Sequence, residues 1–127
     1  MFEVSVEETF AAGHFLRDYK GKCERVHGHN YRVRITLEGD GLDKTGLLVD
    51  FGDIKKVLRE AIAYLDHQLI NELKPFDVIN PSAENMAKYF CDEMQKGLGA
   101  GIAETPVRIQ AVKVWETDTC VATYRPK

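Results

Sequence analysis

Three histidines of this chain have a spacing that suits metal binding. His27 and His29 flank a single glycine, and His14 lies upstream of them. Residues two apart in a strand point to the same side, so His27 and His29 project together, and the alternation of apolar residues puts all three histidines on the apolar side of their strands. If the two strands are antiparallel neighbours, the three imidazoles converge. Three neutral imidazoles with an open fourth position are typical of catalytic zinc, although imidazole also suits other divalent metals.

Other interpretations of the histidines stay open. A His-x-His pair on a strand is more often a surface or core pair than a metal site, because short motifs match by chance. A metal here could also be structural and closed off by a fourth protein ligand, such as Cys23. In a catalytic site the metal would polarise a substrate oxygen as a Lewis acid or, in a hydrolase, activate a water. An open coordination position would distinguish catalysis from a structural role.

A second group of residues could transfer protons. Cys23 precedes the paired histidines by four residues, and a nearby metal dication favours the thiolate, which acts as a base or nucleophile. Asp66 lies next to His67, so its carboxylate can orient the imidazole or stabilise the protonated form. Each has a structural alternative, namely an inert buried cysteine and an exposed helix C-terminus, where the helix dipole favours a histidine cation.

Glu116 is a further candidate, and two other cysteines are not. Glu116 follows the only tryptophan at a predicted strand end, where a carboxylate can accept two donors from a planar, guanidine-like edge. Its position equally suits a solvated turn residue. Cys91 and Cys120 are predicted to be packing residues.

The elements that must position these residues are predicted from hydrophobic periodicity. Alternation predicts four strands, at 2–12, 29–39, 106–116 and 119–125. Helical spacing predicts two helices between the second and third strands, at 51–65 and 81–97. Strands and helices that are segregated in this way predict an α+β fold, with an antiparallel sheet backed by two helices. Its two open sheet edges favour an oligomer.

The helix boundaries are predicted from capping residues. Asp50 or Asp53 could cap the start of the first helix. For the second helix, Asn80 could be the cap and Pro81 the first helical residue. A run of glycines is expected to end this helix, at positions 97, 99 and 101.

Length and composition bound the remaining possibilities. The chain has 127 residues and a mass of 14.4 kDa, which predicts a single domain over residues 1–127. A net charge of −3 and a pI near 5.8 give no indication of a nucleic-acid or membrane surface. No apolar run approaches the roughly 20 residues that span a bilayer, and the N-terminus does not look like a signal peptide. Three widely spaced cysteines predict no disulfide framework, so we expect a cytoplasmic protein.

Six segments resemble one enzyme family, in order along nearly the whole chain. They are FAAGH at 10–14, CERVHGHNY at 23–31, VDFGD at 49–53, LDH at 65–67, NPSAEN at 80–85 and WET at 115–117. Together they resemble the 6-pyruvoyl-tetrahydropterin synthase / 6-carboxytetrahydropterin synthase family. The resemblance implies the tunnelling fold, or T-fold, in which a four-stranded antiparallel sheet carries two helices on one face. It also implies a homohexamer, in which three subunits close a barrel and two trimers stack.

The resemblance also implies a role for each candidate residue. The three histidines are expected to hold Zn²⁺, at positions 14, 27 and 29. Cys23 is expected to be the general base, with Asp66 and His67 as a proton relay contributed by a neighbouring subunit. Glu116 is expected to bind the 2-amino and ring N–H donors of a pterin. Basic residues near Cys23 are candidate contacts for a triphosphate by their charge alone, namely Lys20, Lys22 and Arg25.

The product is expected from finer features of the same motifs. Three residues separate Cys23 from His-Gly-His, a shorter spacing than that of the animal 6-pyruvoyl type, and the Val-Asp-Phe segment resembles the bacterial 6-carboxy type. The resemblance therefore predicts a lyase of queuosine and 7-deazapurine biosynthesis. It would convert 7,8-dihydroneopterin triphosphate to 6-carboxy-5,6,7,8-tetrahydropterin, acetaldehyde and triphosphate. The alternative is the 6-pyruvoyl product, formed by triphosphate elimination without release of acetaldehyde.

Overall fold

A single antiparallel sheet of four strands forms the centre of the fold. The computed structural model describes all 127 residues. The strands follow one another in space as they do in sequence, and they are β1 (Phe2–His14), β2 (His27–Gly39), β3 (Arg108–Thr117) and β4 (Cys120–Tyr124). The strands β1 and β2 are each longer than predicted at the histidine end. The sheet therefore carries His14, His27 and His29 inside its first two strands.

Two helices cover one face of this sheet, as predicted. The helix α1 spans Phe51–Leu65 and packs on β1, whereas α2 spans Ala83–Ile102 and packs on β3 and β4. The apolar sides of the helices and the sheet enclose one core, which includes Tyr31, Ile35 and Phe90. Glu8, which interrupts the apolar alternation of β1, accepts a hydrogen bond from Arg59 of α1 at 2.9 Å. The predicted α+β architecture is confirmed.

The start of α2 differs from the prediction. The cap is Ser82, whose hydroxyl accepts a hydrogen bond from the backbone N–H of Asn85, and Pro81 precedes it outside the helix. Asn80 is engaged elsewhere, because its side-chain amide pairs with the backbone of Arg17. The start of α1 agrees with the prediction, since Asp50 accepts from the N–H of Gly52.

The end of α2 also differs, because the helix continues through its glycines to Ile102. At Gly97 a Cβ atom would lie 2.3 Å from Cγ1 of Val57, so this glycine allows α1 and α2 to approach closely. At Gly101 a Cβ atom would meet open space. The prediction of a helix end at these residues was wrong because Gly97 is needed for packing between helices rather than for a turn.

The outer edge of β1 is covered at the histidine end by the segment that follows α1. The N–H of His67 donates to the carbonyl of Ala11 at 2.6 Å, and the N–H of Gly13 donates to the carbonyl of Gln68 at 3.0 Å. A short 3-10 helix, Ile70–Glu72, follows. One of the two predicted open edges is therefore partly closed within the chain. No helix of the structure combines the length and apolarity needed to cross a membrane.

Candidate functional site

The pairing of β1 with β2 brings three imidazoles together. His14 lies opposite His27 across the two strands, and Ala12 lies opposite His29. The Nε2 atoms of His14 and His27 are 3.1 Å apart, and the ring centroids of His14 and His29 are 5.1 Å apart. His14 is buried at 1% exposure, His29 is half-buried and His27 is exposed. The group thus begins in the core and opens to the surface.

Hydrogen bonds fix the tautomers of two of these rings. Nδ1 of His14 lies 2.7 Å from the carbonyl oxygen of Pro81, and Nδ1 of His27 lies 2.9 Å from that of Arg25. Because a carbonyl only accepts, each Nδ1 carries the proton, and a neutral ring then has a bare lone pair on Nε2. Nε2 of His29 is buried and has no hydrogen-bond partner. In the neutral rings, Nε2 of His14 and Nε2 of His27 therefore present lone pairs to each other, and the unpartnered Nε2 of His29 lies within 4.8 Å of them.

Glu116 is the fourth member of this group. Its Oε1 lies 3.1 Å from Nε2 of His14 and 3.4 Å from Nε2 of His29, and one ligand atom from each of the four residues falls within 4.8 Å of all the others. Nitrogen lone pairs and a carboxylate oxygen that face one another at these distances are stabilised by a cation between them. The residues present therefore fit a divalent metal, and a set of imidazoles with one carboxylate suits zinc among other ions.

The contact of Glu116 with the histidines was not predicted from the sequence, which offered this residue only as a substrate contact. The signal that could have found it is the strand alternation, because Val112, Val114 and Glu116 share the parity of the buried side of β3. The register of β3 with β4 also shifts between Trp115 and Thr117, so Glu116 has no partner residue on β4. Such irregularities aim side chains at functional sites.

Burial sets the protonation of the groups around the cluster. It is the largest cause that lowers the pKa of His29 below its ordinary value, and the charge of Glu116 opposes this shift. Burial also raises the pKa of Tyr31, whose hydroxyl has no hydrogen-bond partner. A ring with a lowered pKa is neutral at physiological pH, which is the state that binds a metal. The unpartnered Tyr31 hydroxyl remains a neutral donor beside the cluster.

Two asparagines fix the segment that follows His14. The amide of Asn71 exchanges two hydrogen bonds with the backbone of Phe15, both at 2.9 Å. The amide of Asn80 does the same with the backbone of Arg17, at 2.8 and 3.0 Å. Asn71 is almost fully buried at 5% exposure. Because Phe15 follows His14 directly, these four bonds hold the His14 ring at the carbonyl of Pro81.

Cys23 lies outside the metal-binding group. It is a free, exposed thiol in the loop between β1 and β2, and it is not among the groups that can share a metal with the histidines. The loop is held by Glu24, whose carboxylate accepts from the N–H of Leu16 at 2.9 Å. A closed site with Cys23 as the fourth ligand is therefore not what the structure shows. Cys91 is buried as predicted, but Cys120 is exposed, because β4 is an edge strand.

Asp66 and His67 form the pair that their adjacency suggested. Oδ1 of Asp66 lies 2.9 Å from Nδ1 of His67 and accepts a hydrogen bond from the N–H of Ala11. The bond from Ala11, followed by the interactions with His67, lowers the pKa of Asp66. The backbone of His67 has a positive φ of 59°, which is uncommon for a residue other than glycine. Its side chain is 80% exposed, so the imidazole is oriented but not enclosed.

An open cleft of about 410 Å³ connects the two groups of residues. It is lined by both His29 and His67, together with backbone from β1 and β2 around Gly13 and Gly28. A larger groove of about 770 Å³ runs along α1 and α2, but none of its lining residues belongs to either group. Of these two pockets, the small cleft is therefore the one that touches residues of both groups.

Comparisons with known proteins agree with this site. A profile of the family described as 6-pyruvoyl tetrahydropterin synthase matches residues 3–127. The chain is 38% identical to 6-carboxy-5,6,7,8-tetrahydropterin synthase of Bacillus subtilis, over 99% of this chain and 86% of the relative. It is 36% identical to 6-pyruvoyl tetrahydrobiopterin synthase of Homo sapiens, over 97% of this chain and 90% of the relative.

Solved structures confirm the fold. The 6-pyruvoyl tetrahydropterin synthase of Caenorhabditis elegans superposes with a TM-score of 0.80 at 21% identity, covering 100% of this chain and 98% of that one. A mutant of the Plasmodium vivax enzyme gives a TM-score of 0.81 at 22% identity, covering 98% and 97%. The T-fold expected from the motifs is thus present. The chain belongs to the 6-pyruvoyl tetrahydropterin synthase family of enzymes, as its six motifs predicted.

Proposed function

We propose that this protein is a zinc-dependent lyase that converts 7,8-dihydroneopterin triphosphate to 6-carboxy-5,6,7,8-tetrahydropterin, acetaldehyde and triphosphate. The observation that carries the proposal is the convergence of three imidazoles and the Glu116 carboxylate, beside a cleft that His29 and His67 line. Membership in the family supplies the substrate class. The proposal places the reaction in queuosine and 7-deazapurine biosynthesis. It places the protein in the cytoplasm, because the free cysteines of the chain suit a reducing compartment.

The residues of the site have separate roles in this reaction. His14, His27 and His29 would hold the metal, which when bound supplies a Lewis acid for an oxygen of the substrate side chain. The Cys23 thiolate takes a proton from a side-chain carbon, and His67, oriented by Asp66, moves protons between the ring and the side chain.

Four residues would hold the two ends of the substrate. Glu116 accepts the 2-amino and ring N–H donors of the pterin, which excludes isosteres that lack these donors, because a carboxylate would then be left unpaired. The exposed cations Lys20, Lys22 and Arg25 are candidate triphosphate contacts.

The reaction balances without an external redox partner. Two electrons from the side-chain carbons reduce the 7,8-dihydro ring to the tetrahydro ring, and triphosphate leaves by elimination. The 6-carboxy product needs one water in addition, which adds across the bond between the first two side-chain carbons. The first carbon becomes the carboxylate, and the second takes a proton and leaves as acetaldehyde. The 6-pyruvoyl product needs no water, and the 36% identity to the human enzyme makes it the second candidate.

Product identification tests the proposal directly. The purified protein is incubated anaerobically with 7,8-dihydroneopterin triphosphate, and the products are analysed by mass spectrometry. We expect the mass of 6-carboxytetrahydropterin together with acetaldehyde. A 6-pyruvoyl mass without acetaldehyde would instead assign the second candidate. Phosphate released from simple esters, with no change in the pterin, would overturn both in favour of a hydrolase.

We further propose that the complete site forms between subunits of a homo-oligomer, with a hexamer of two trimers as the expected state. The support is that Cys23 and His67 are both exposed and that only His67 lines the small cleft. Mixing the inactive variants Cys23→Ala and His67→Ala after partial unfolding tests this. If one subunit supplies Cys23 and its neighbour His67, random reassembly restores about a quarter of the sites. Sites complete within one chain would stay inactive in the mixture.

A further inference from the structure

Glu116 occupies the place of a metal ligand rather than that of a free substrate contact. In a tetrahedral site with bond lengths of about 2.0–2.1 Å, neighbouring ligand atoms are about 3.3–3.4 Å apart. The Oε1 of Glu116 lies 3.1 and 3.4 Å from the Nε2 atoms of His14 and His29, and the Nε2 atoms of His14 and His27 are 3.1 Å apart. The carboxylate oxygen therefore stands close to the fourth corner of such a site.

Of the two groups that no hydrogen bond holds, His29 and Glu116, Glu116 is the more exposed and therefore the freer to leave. The rings of His14 and His27 are each held by a hydrogen bond from Nδ1 to a backbone carbonyl. No hydrogen-bond donor holds the carboxylate of Glu116, and 32% of its side chain is exposed. Its residue lies near the end of β3, beside the shift in the register with β4. A change of its side-chain rotamer would thus break no other hydrogen bond.

Two demands compete for the orientation of the Glu116 carboxylate. A pterin edge offers two parallel N–H donors, which occupy both carboxylate oxygens in a bidentate pair. A metal ligand needs one of those oxygens with its lone pair directed at the ion. The same side chain therefore has two competing partners, one from the protein's own metal site and one from the ring of the substrate.

We propose that Glu116 is an exchanging ligand. In the resting enzyme it binds the metal together with the three histidines, and on binding of the pterin ring it leaves the metal for the N–H donors of the ring. The exchange frees a coordination position only when the ring is seated, so the side chain of the substrate finds an open metal at that moment. The inference has two halves. The first half, that Glu116 is a metal ligand, does not depend on the proposed function. The second half, that a pterin displaces it, rests on the proposed function.

The full-length protein loaded with Co²⁺ tests the first half, because the visible absorption of Co²⁺ depends on its ligands. Without pterin, we expect Glu116→Gln to change this spectrum and to weaken metal binding about 10-fold, as measured by competition with a chelator. Glu104→Gln, an exposed glutamate beyond α2, is the matched control and should change neither. An unchanged spectrum in a folded Glu116→Gln variant would overturn the ligand role.

The second half is tested by adding 7,8-dihydropterin, which has the ring donors but no side chain. Binding is followed by fluorescence, and the ligand set by Co²⁺ absorption. We expect the spectrum of the wild-type protein to shift as the pterin binds and that of Glu116→Gln to stay constant. Pterin binding with no shift in the wild type would overturn the exchange while leaving the proposed function intact. No binding of pterin at all would overturn the exchange and count against the proposed function, whereas the ligand role would be judged by the first experiment alone.

Discussion

The two halves of the candidate site differ in how firmly the chain holds them. The metal-binding half lies on three paired strands, and His14 is both buried and hydrogen-bonded to a carbonyl. The proton-transfer half lies on connecting segments, where His67 is 80% exposed and Cys23 is an exposed thiol. One half is determined by the sheet and its hydrogen bonds. The other is attached to the sheet but faces solvent.

This difference matches the tasks of the two halves. Metal ligands must be placed before the ion arrives, because small errors in position weaken binding, and paired strands provide that accuracy. Proton-transfer groups need only meet the substrate in its bound position, and their geometry often tightens in the complex. The contrast also supports our proposal that a neighbouring subunit completes the exposed half. The following changes test the contrast, beginning with the largest expected effect.

Loss of one histidine should remove the function of the metal-binding half entirely. We expect His27→Ala to lose its metal and at least about 100-fold in turnover, because one of three imidazole ligands is gone. The metal content is measured by mass spectrometry, and turnover by triphosphate release. The matched control is His67→Ala, which should keep its metal and still lose activity. Full turnover by metal-free protein would contradict the role of the metal.

Loss of the thiol should impair the proton-transfer half and leave the metal-binding half intact. We expect Cys23→Ala to reduce turnover by about 100-fold or more, the range for removal of a positioned base, while the metal content and melting temperature stay unchanged. Cys120→Ala, at the other exposed thiol, is the control and should remain fully active. Near-normal turnover of Cys23→Ala would exclude the thiolate from the mechanism.

Removal of the Asn71 side chain should show how much its hydrogen bonds to Phe15 stabilise the segment that follows His14. Asn71→Ala leaves the backbone N–H and carbonyl of Phe15 without partners at a partly buried position, which should lower the free energy of unfolding by about 2 kcal/mol. Urea denaturation measures this loss. Asn30→Ala, at an exposed strand position with no hydrogen bond from its side chain, should change it by less than about 0.5 kcal/mol. Equal losses in both variants would show that the hydrogen bonds of Asn71 do not add to the stability of the fold.

The sequence predicted the parts of this molecule that follow from periodicity. Alternation identified β1 to β4, and helical spacing identified α1 with its cap at Asp50. It failed at the end of α2, where Gly97 is required by contact with Val57, a residue 40 positions away that no local pattern reveals. It also misplaced the cap of α2, because the amide of Asn80 pairs with the distant backbone of Arg17.

The site was predictable to the same extent and for the same reason. The grouping of His14 with His27 and His29 follows from strand parity once β1 and β2 are assumed to pair. The contact of Glu116 with His14 depends on the position of β3 in the sheet, which the sequence alone does not specify. The tautomer of His14 likewise depends on the Pro81 carbonyl. Contacts between distant segments therefore mark the limit of local patterns.

The smallest effect should come from the charge of Asp66, which ties the proton-transfer half to β1. Its pKa is lowered in the folded protein from an ordinary 3.8, first by the N–H of Ala11 and then by His67. A lowered carboxyl pKa contributes stability above the unfolded pKa and loses it as the pH falls through the folded pKa. Asp66→Asn keeps an oxygen for Ala11 but removes the charge.

We therefore expect this variant to melt a few degrees below the wild type at pH 6, and the difference to be smaller at pH 3, below the ordinary carboxyl pKa of 3.8. Thermal melts at both pH values measure it. Asp118→Asn, in the turn between β3 and β4 with no partner for its carboxylate, should show no such dependence. A difference that is equally large at pH 3 would mean that Asp66 acts through its shape and hydrogen bonding rather than its charge.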